Sequence, residues 1–215
     1  MKPVGDFTQR LWDSVSDIYE ELLSSEFVLG LANGRLAEES FKHYLSQDVI
    51  YIKRDSQALA NMSERAICEK ESLFFKRMSS DCIEIEDILH NEFMDYFNVK
   101  AAKEQSLAFA NYSSFIEEMA DKAEYPIAVA ALLPCFWLYG KVGHHILATQ
   151  SPTNKYQKFI DTYSGDEYIE YTREFISIME NHASSENEHT QKEIIDAFVE
   201  SSRHELNVFL EATNL

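Results

Sequence analysis

A single thiol, one carboxylate between two phenols and a late glutamate are the side chains of this chain whose types and spacing could do chemistry together. The thiol is Cys135, one residue after Pro134 in the segment Leu132 to Gly143, LLPCFWLYGKVG. Cys135, Tyr139 and Gly143 stand at i, i+4 and i+8, so on a helix a thiol, a phenol and a gap without a side chain share one stripe and form one wall of a pocket. Pro134 cannot donate a backbone hydrogen bond and crowds the carbonyl of Ala130, which predicts a kink beside the cysteine. A free cysteine on a buried helix commonly acts as a small hydrophobe, and a reactive one needs polar or cationic company. The helix by itself favours the buried, structural thiol.

Candidate company comes from two other segments. In YLSQDVIYI, Tyr44, Asp48 and Tyr51 fall at i, i+4 and i+7, which sets one carboxylate between two phenols on one face and suits hydrogen bonding to a heterocycle. The competing reading makes Asp48 a solvated residue paired with Lys53 or Arg54, although neither has the best helical spacing for it. In HELNVFL, Glu205 lies one position off the apolar line of Phe198, Leu206 and Phe209, close enough to reach inward, whereas a surface glutamate is the commoner case. Tyr112 and Tyr163 are ambiguous on the same ground, since a buried tyrosine often does no more than satisfy its hydroxyl.

The elements that must position these groups read as long helices. With 6 Gly and 4 Pro against 45% hydrophobic residues in 215, turn punctuation is sparse, which predicts an all-α, single-domain helical bundle over residues 1–215. A first helix is expected from Asp6, its cap, to about Ser24, followed by a short apolar turn, FVLGLANG. Further helices are expected over about Ala37 to Arg65, Cys68 to Phe97 and Ala102 to Lys122, then the kinked cysteine helix. A short helix near Tyr156 to Tyr163, one over Asp166 to His182, a polar tract Ala183 to Thr190 and a last helix from Gln191 to about Ala212 complete the pattern. In such a bundle a ligand site is expected between facing helices.

The formal net charge of −18 argues against binding to a nucleic-acid backbone or an anionic membrane surface. The uncharged stretch from Pro126 to Gly140 is shorter than a bilayer crossing needs and reads as a buried core helix. Cys68, Cys82 and Cys135 match no zinc spacing and suit a reducing compartment, and the start MKPVGDFTQRLW lacks the apolar core of a signal peptide, so a cytoplasmic location is expected.

Taken together, YLSQDVIY, the aromatic helix around Tyr112, LLPCFWLYGKVG, Tyr163 beside SGDEY, and HELNVF strongly resemble the TenA family, also called thiaminase II, nearly end to end. The PC-x-W-x-Y block is the most specific part and the QD-x-x-Y block the second. The resemblance implies a haem-oxygenase-like fold without haem, a homotetramer, no cofactor or metal, and hydrolysis of a small-molecule aminopyrimidine in thiamin salvage. It makes Cys135 the nucleophile that attacks the ring and Glu205 the acid/base that protonates the departing amine and then helps activate water. It gives Asp48 the 4-amino group and adjacent ring nitrogen, and has Tyr51, Tyr112, Tyr139 and Tyr163 stack on the ring or hold the catalytic groups in place. At the C-terminal end the chain departs from the pattern. Many members carry a tyrosine before the glutamate and a Phe-Trp pair after it, where this chain has His204, Val208 and Phe209.

Three rivals are set against this reading. A metal-dependent oxidase on a similar bundle would need paired carboxylate and histidine ligands, and the one Glu-x-x-His, Glu186 to His189, falls in the polar tract. A non-catalytic pyrimidine-binding protein would have no need to keep both Cys135 and Glu205. A helical interaction module would not explain Asp48 between two tyrosines.

Overall fold

The computed structural model describes residues 1–151, 153–162 and 165–215, and contains no β-strand among them. Eleven α-helices are described. The first three are α1 (Asp6–Ser14), α2 (Ser16–Ser24) and α3 (Glu26–Asn33), followed by the long α4 (Glu38–Arg65) and α5 (Glu69–Ile88). A π-helical turn, Leu89–Met94, extends α5. Then come α6 (Leu107–Lys122), α7 (Tyr125–Leu132), α8 (Pro134–Thr149), α9 (Gln157–Thr162), α10 (Asp166–Ala183) and α11 (Glu188–Thr213).

Several expected boundaries are corrected. The predicted first helix is two helices that meet at Val15, and Asp6 does not cap it. Gly5 is the N-cap, and the first amides are satisfied from far along the chain, with Phe7 and Thr8 N–H donating to the Glu180 carboxylate at 3.2 and 2.7 Å. A carboxylate there also meets the positive end of the helix dipole. The expected apolar turn FVLGLANG is α3, capped by Ser25, whose Oγ accepts from Val28 N–H, and ended by Gly34 at φ 71, the left-handed conformation glycine adopts without strain. Helix α6 starts five residues later than expected, and α11 three residues earlier, where the Asn187 side chain accepts from His189 and Thr190 N–H.

Two devices fix the frame of the site. Helices α4 and α5 are clamped antiparallel by small residues: Ser56 Oγ donates to the Ser79 carbonyl and Ser79 Oγ to the Ser56 carbonyl, both at 2.9 Å, and Ser63 Oγ donates to the Ser72 carbonyl at 2.8 Å. The second device is the expected kink. Because Pro134 supplies no N–H, α7 stops at Leu132 and α8 restarts at Pro134 in the first-turn position that proline favours, while Leu133 stays helical at φ −64, ψ −37. The Ala131 carbonyl beside this break accepts from the buried Ser201 Oγ at 2.6 Å, which ties α11 to the end of α7, just before α8 begins. By composition Tyr125–Thr149 could cross a membrane, but 72% of its most apolar window is buried inside the bundle, as a core helix would be.

Candidate active site

One face of α4 forms the first wall. Tyr44, Asp48, Tyr51 and Asp55 recur at i, i+4, i+7 and i+11, and all four side chains are buried and line one cavity. Arg54 faces the other way and donates to Glu117 and Gln105, so it gives Asp48 no counter-charge. With Asp48 only 5% exposed, the solvated reading of that residue is removed.

The start of α8 forms the second wall. Cys135 and Tyr139 keep part of their surface free, and that surface faces the cavity. Gly143 does not continue this wall as expected. It lies against a separate apolar void bounded by Phe209, Phe159 and Ile160, because the stacked Phe209 and Tyr139 rings, 6.0 Å apart, close off that end. Glycine matters instead at Gly140. A Cβ there would come within 2.8 Å of the Tyr168 ring, so the bare backbone lets α10 pack close enough for the Tyr168 hydroxyl to donate to the carbonyls of Cys135 and Phe136 at 3.3 and 3.2 Å.

Helices α6 and α11 supply the third wall. Tyr112, fully buried, donates its hydroxyl to Glu205 Oε1 at 2.9 Å, and Glu205 is itself only 4% exposed. Ser201, one turn before Glu205, carries the bond to Ala131 described above. The helix break in front of the cysteine and the glutamate opposite it are thus held in one register by α11. His204 stacks on the outer face of Tyr112 at 5.5 Å and 11°, Val208 lines the cavity, and Phe209 stacks behind Tyr44 at 5.7 Å.

The empty space between these walls, open solvent at the mouth included, is about 580 Å³. Of the predicted site residues, Asp48, Tyr51, Tyr112, Cys135, Tyr139 and Glu205 all line it. Tyr163 lies outside the described residues. Sequence reasoning did not single out Asp55, Cys82 and Tyr168, which line it too.

Electrostatically the cavity is acidic. Among the described residues that line it there is no Lys, Arg or His. Burial pushes Asp48 up to about 7, with the Tyr44 hydroxyl opposing and the Asp55 charge adding to the rise. Burial likewise pushes Asp55 up to about 7, against the thiols of Cys135 and Cys82. Glu205 rises to about 8, chiefly through burial, with the Tyr112 hydroxyl opposing and Asp48 and Asp55 adding to it. The Cys135 thiol is raised well above its ordinary value by burial, then by the charges of Asp55 and Glu205. The thiol at rest keeps its proton, and the company it has is carboxyl, not cationic. Asp48 Oδ2 and Asp55 Oδ1 are buried without a hydrogen-bond partner among the described residues, a costly arrangement unless a ligand supplies the donors. No three His, Cys, Asp or Glu among the described residues are grouped so as to hold a metal ion.

Residues 12–214 match the sequence model described as the TENA/THI-4/PQQC family. Among curated relatives, the thiamine biosynthesis multifunctional protein ThiED of Corynebacterium glutamicum is 30% identical over 99% of this chain, which spans only 28% of that relative's length. The aminopyrimidine aminohydrolase of Bacillus subtilis is 29% identical over 93% of this chain and 86% of its own. Among solved structures, a TenA homologue from Pyrococcus furiosus superposes with a TM-score of 0.91 at 18% identity, covering 96% of this chain and all of its own. A domain with a heme oxygenase-like fold from Shewanella denitrificans gives 0.72 at 12% identity, over 97% of this chain and 92% of its own. The fold is therefore the all-α, heme oxygenase-like one, and the chain belongs to the TENA/THI-4/PQQC family.

Proposed function

We propose that this protein hydrolyses thiamin-related aminopyrimidines, converting 4-amino-5-aminomethyl-2-methylpyrimidine to its hydroxymethyl form in thiamin salvage, with Cys135 as nucleophile and Glu205 as acid/base. The observation that carries this reading is the shared cavity. A thiol open to it, a buried glutamate that burial keeps protonated near neutral pH, and an aspartate with an unsatisfied oxygen face one apolar space flanked by tyrosines.

In this reading the sulfur adds to an electron-poor ring carbon as the ring nitrogen takes a proton from water, a proton that it gives back when the sulfur leaves. Glu205 gives its proton to the departing amine, and the C–N bond to the methylene breaks. The resulting carboxylate takes a proton from water as its oxygen bonds to the methylene, and the sulfur then leaves the ring. Tyr112 holds Glu205 in line for both transfers. Asp48 Oδ2 accepts from the exocyclic amino group and the protonated ring nitrogen, which ties affinity to the ring and polarises it for attack. Tyr51, Tyr139 and the undescribed Tyr163 are given the ring-stacking and positioning roles. No cofactor enters, and the reading includes a homotetramer in the cytoplasm that binds neither nucleic acid nor membrane.

The test is incubation of the protein with the aminomethylpyrimidine and, separately, with thiamin, following ammonia and thiazole release. Ammonia release from the aminomethylpyrimidine is the expected result, thiazole release from thiamin would add thiamin cleavage to it, and no release from either compound would refute hydrolysis. Asp48→Ala is expected to weaken pyrimidine binding, measured by calorimetry; unchanged affinity would remove Asp48 from ring recognition.

A further inference from the structure

Asp55 is a buried carboxyl of the cavity to which the chemistry above gives no task. It is 3% exposed, one turn beyond Tyr51 on α4, and the serine clamp between α4 and α5 fixes its place. Two thiols converge on one of its oxygens: Cys135 Sγ lies 3.8 Å and Cys82 Sγ 3.9 Å from Asp55 Oδ2, both within reach of an S–H donor. Its other oxygen, Oδ1, is buried without a hydrogen-bond partner among the described residues. A carboxyl placed there is poor packing, since an apolar side chain would fill the space without the desolvation cost. It does suit proton transfer, because no cationic residue among those described lines the cavity to favour a thiolate, and Asp55 Oδ2 is a carboxyl oxygen in contact with the Cys135 thiol.

From this geometry we infer that Asp55 is the base that removes the Cys135 proton. The S–H bond breaks and an O–H bond forms at Asp55 Oδ2 as the sulfur lone pair makes the S–C bond to the ring. When that bond breaks after water has added, its electron pair returns to sulfur, which takes the same proton back, so Asp55 ends each cycle ionised. Cys82 is the more deeply buried of the two thiols; it keeps its proton and holds Oδ2 by the second S–H contact. The assignment rests on the cysteine-nucleophile reading above, and its test is separable from it.

The groups that share the cavity with Asp55 are Tyr44, Asp48 and Tyr51 of its own helix, Cys82 of α5, Tyr112 of α6, Cys135 and Tyr139 of α8, Tyr168 of α10 and Glu205 of α11. They are present in both wild type and Asp55→Asn, but loss of the Asp55 charge lowers Asp48, Glu205 and Cys135, so the ratio of the two is read for its slope with pH and not for its size. The isosteric amide removes a buried charge that no cation neutralises, so the variant is expected to fold. Two readouts are followed from pH 6 to 9: turnover, and alkylation of Cys135 by iodoacetamide, located by peptide mass spectrometry.

General-base removal predicts a kcat loss of about a hundredfold or more at pH 7 with KM within about threefold. It also predicts that the wild-type-to-variant ratio of alkylation rates falls about tenfold per pH unit between 7 and 9, because only the variant depends on solvent hydroxide. A ratio independent of pH, which a structural or purely electrostatic role gives, or a kcat loss below about tenfold, would overturn the assignment. If the amide variant does not fold, Asp55→Ala is assayed with added formate, where rates that rise with formate support the base and rates insensitive to it refute it. Absence of turnover by the wild type would sink the proposed function and leave the alkylation series to decide Asp55.

Discussion

Replacing Tyr112 by phenylalanine removes one oxygen and little else. The ring keeps its stack on His204 at 5.5 Å and its contact with Tyr51 at 4.9 Å, so the cavity keeps its shape. What is lost is the 2.9 Å hydrogen bond to Glu205 Oε1, together with a 3.2 Å contact with Ser201 Oγ, whose own bond to the Ala131 carbonyl stays in place. A hydrogen bond to a charged group contributes about 1.5–3 kcal/mol and one between neutral groups about 0.5–1.5 kcal/mol. Since the hydroxyl can bond either form of Glu205, only the difference moves its proton equilibrium. That difference of roughly 1–1.5 kcal/mol corresponds to about one pH unit. The sign follows from the bond favouring the ionised form: Glu205, near 8 with the hydroxyl in place, rises further without it. Because Glu205 acts as the acid, activity is lost as it ionises, so the alkaline limb of kcat/KM is expected to move up by about one unit in Tyr112→Phe. The acid limb, set by the carboxyls that Tyr112 does not bond, stays where it was. The assay is the pH profile of ammonia release for the two proteins. A limb that stays fixed or moves to lower pH would mean that Tyr112 does not hold the catalytic acid.

Two further outcomes follow from the same cavity. Asp48, Asp55 and Glu205 are raised from 3.8, 3.8 and 4.5 to about 7, 7 and 8, so the folded protein holds protons that the unfolded chain has already released. Stability therefore falls as pH rises from about 4 to about 8, and calorimetric melting is expected at lower temperature at pH 8 than at pH 5.5, with the gap narrowed by Asp55→Asn; equal melting temperatures would contradict the buried-carboxyl picture. Gly140→Ala puts a Cβ within 2.8 Å of the Tyr168 ring and is expected to cost about 1–3 kcal/mol in denaturant unfolding and to lower turnover by displacing the Cys135 end of α8, whereas a neutral effect on both would show that α10 does not brace the nucleophile.

Much of the site was legible in the sequence because helical spacing alone puts Tyr44, Asp48 and Tyr51 on one face and Cys135 and Tyr139 on another. Asp55 continues the first face at i+4 from Tyr51, and that spacing was the signal that could have found it. Its neighbour Arg54 gives the segment KRDS the look of a solvated charge cluster, and only the structure shows the guanidinium turned away to Glu117. Tyr168 was invisible for another reason: its role depends on the absence of a Cβ at Gly140, a contact between residues 28 positions apart. The cap of α1 by Glu180 is likewise long-range, and no local pattern encodes it. Helix α3 was read as a turn because it is short, apolar and closed by a glycine; five of its eight residues are buried, so tertiary packing makes the helix. The kink at Pro134, by contrast, follows from the chemistry of one residue and was predicted in place.

The central claim is that Cys135 is the nucleophile of a pyrimidine-cleaving site. It is tested most directly by ammonia release from the aminomethylpyrimidine by Cys135→Ser, with pyrimidine affinity measured in parallel by calorimetry. Serine keeps the size of the group but is a far poorer nucleophile at the same place, so turnover is expected to vanish while affinity stays within a few fold of wild type. Turnover equal to wild type in that variant would contradict the account.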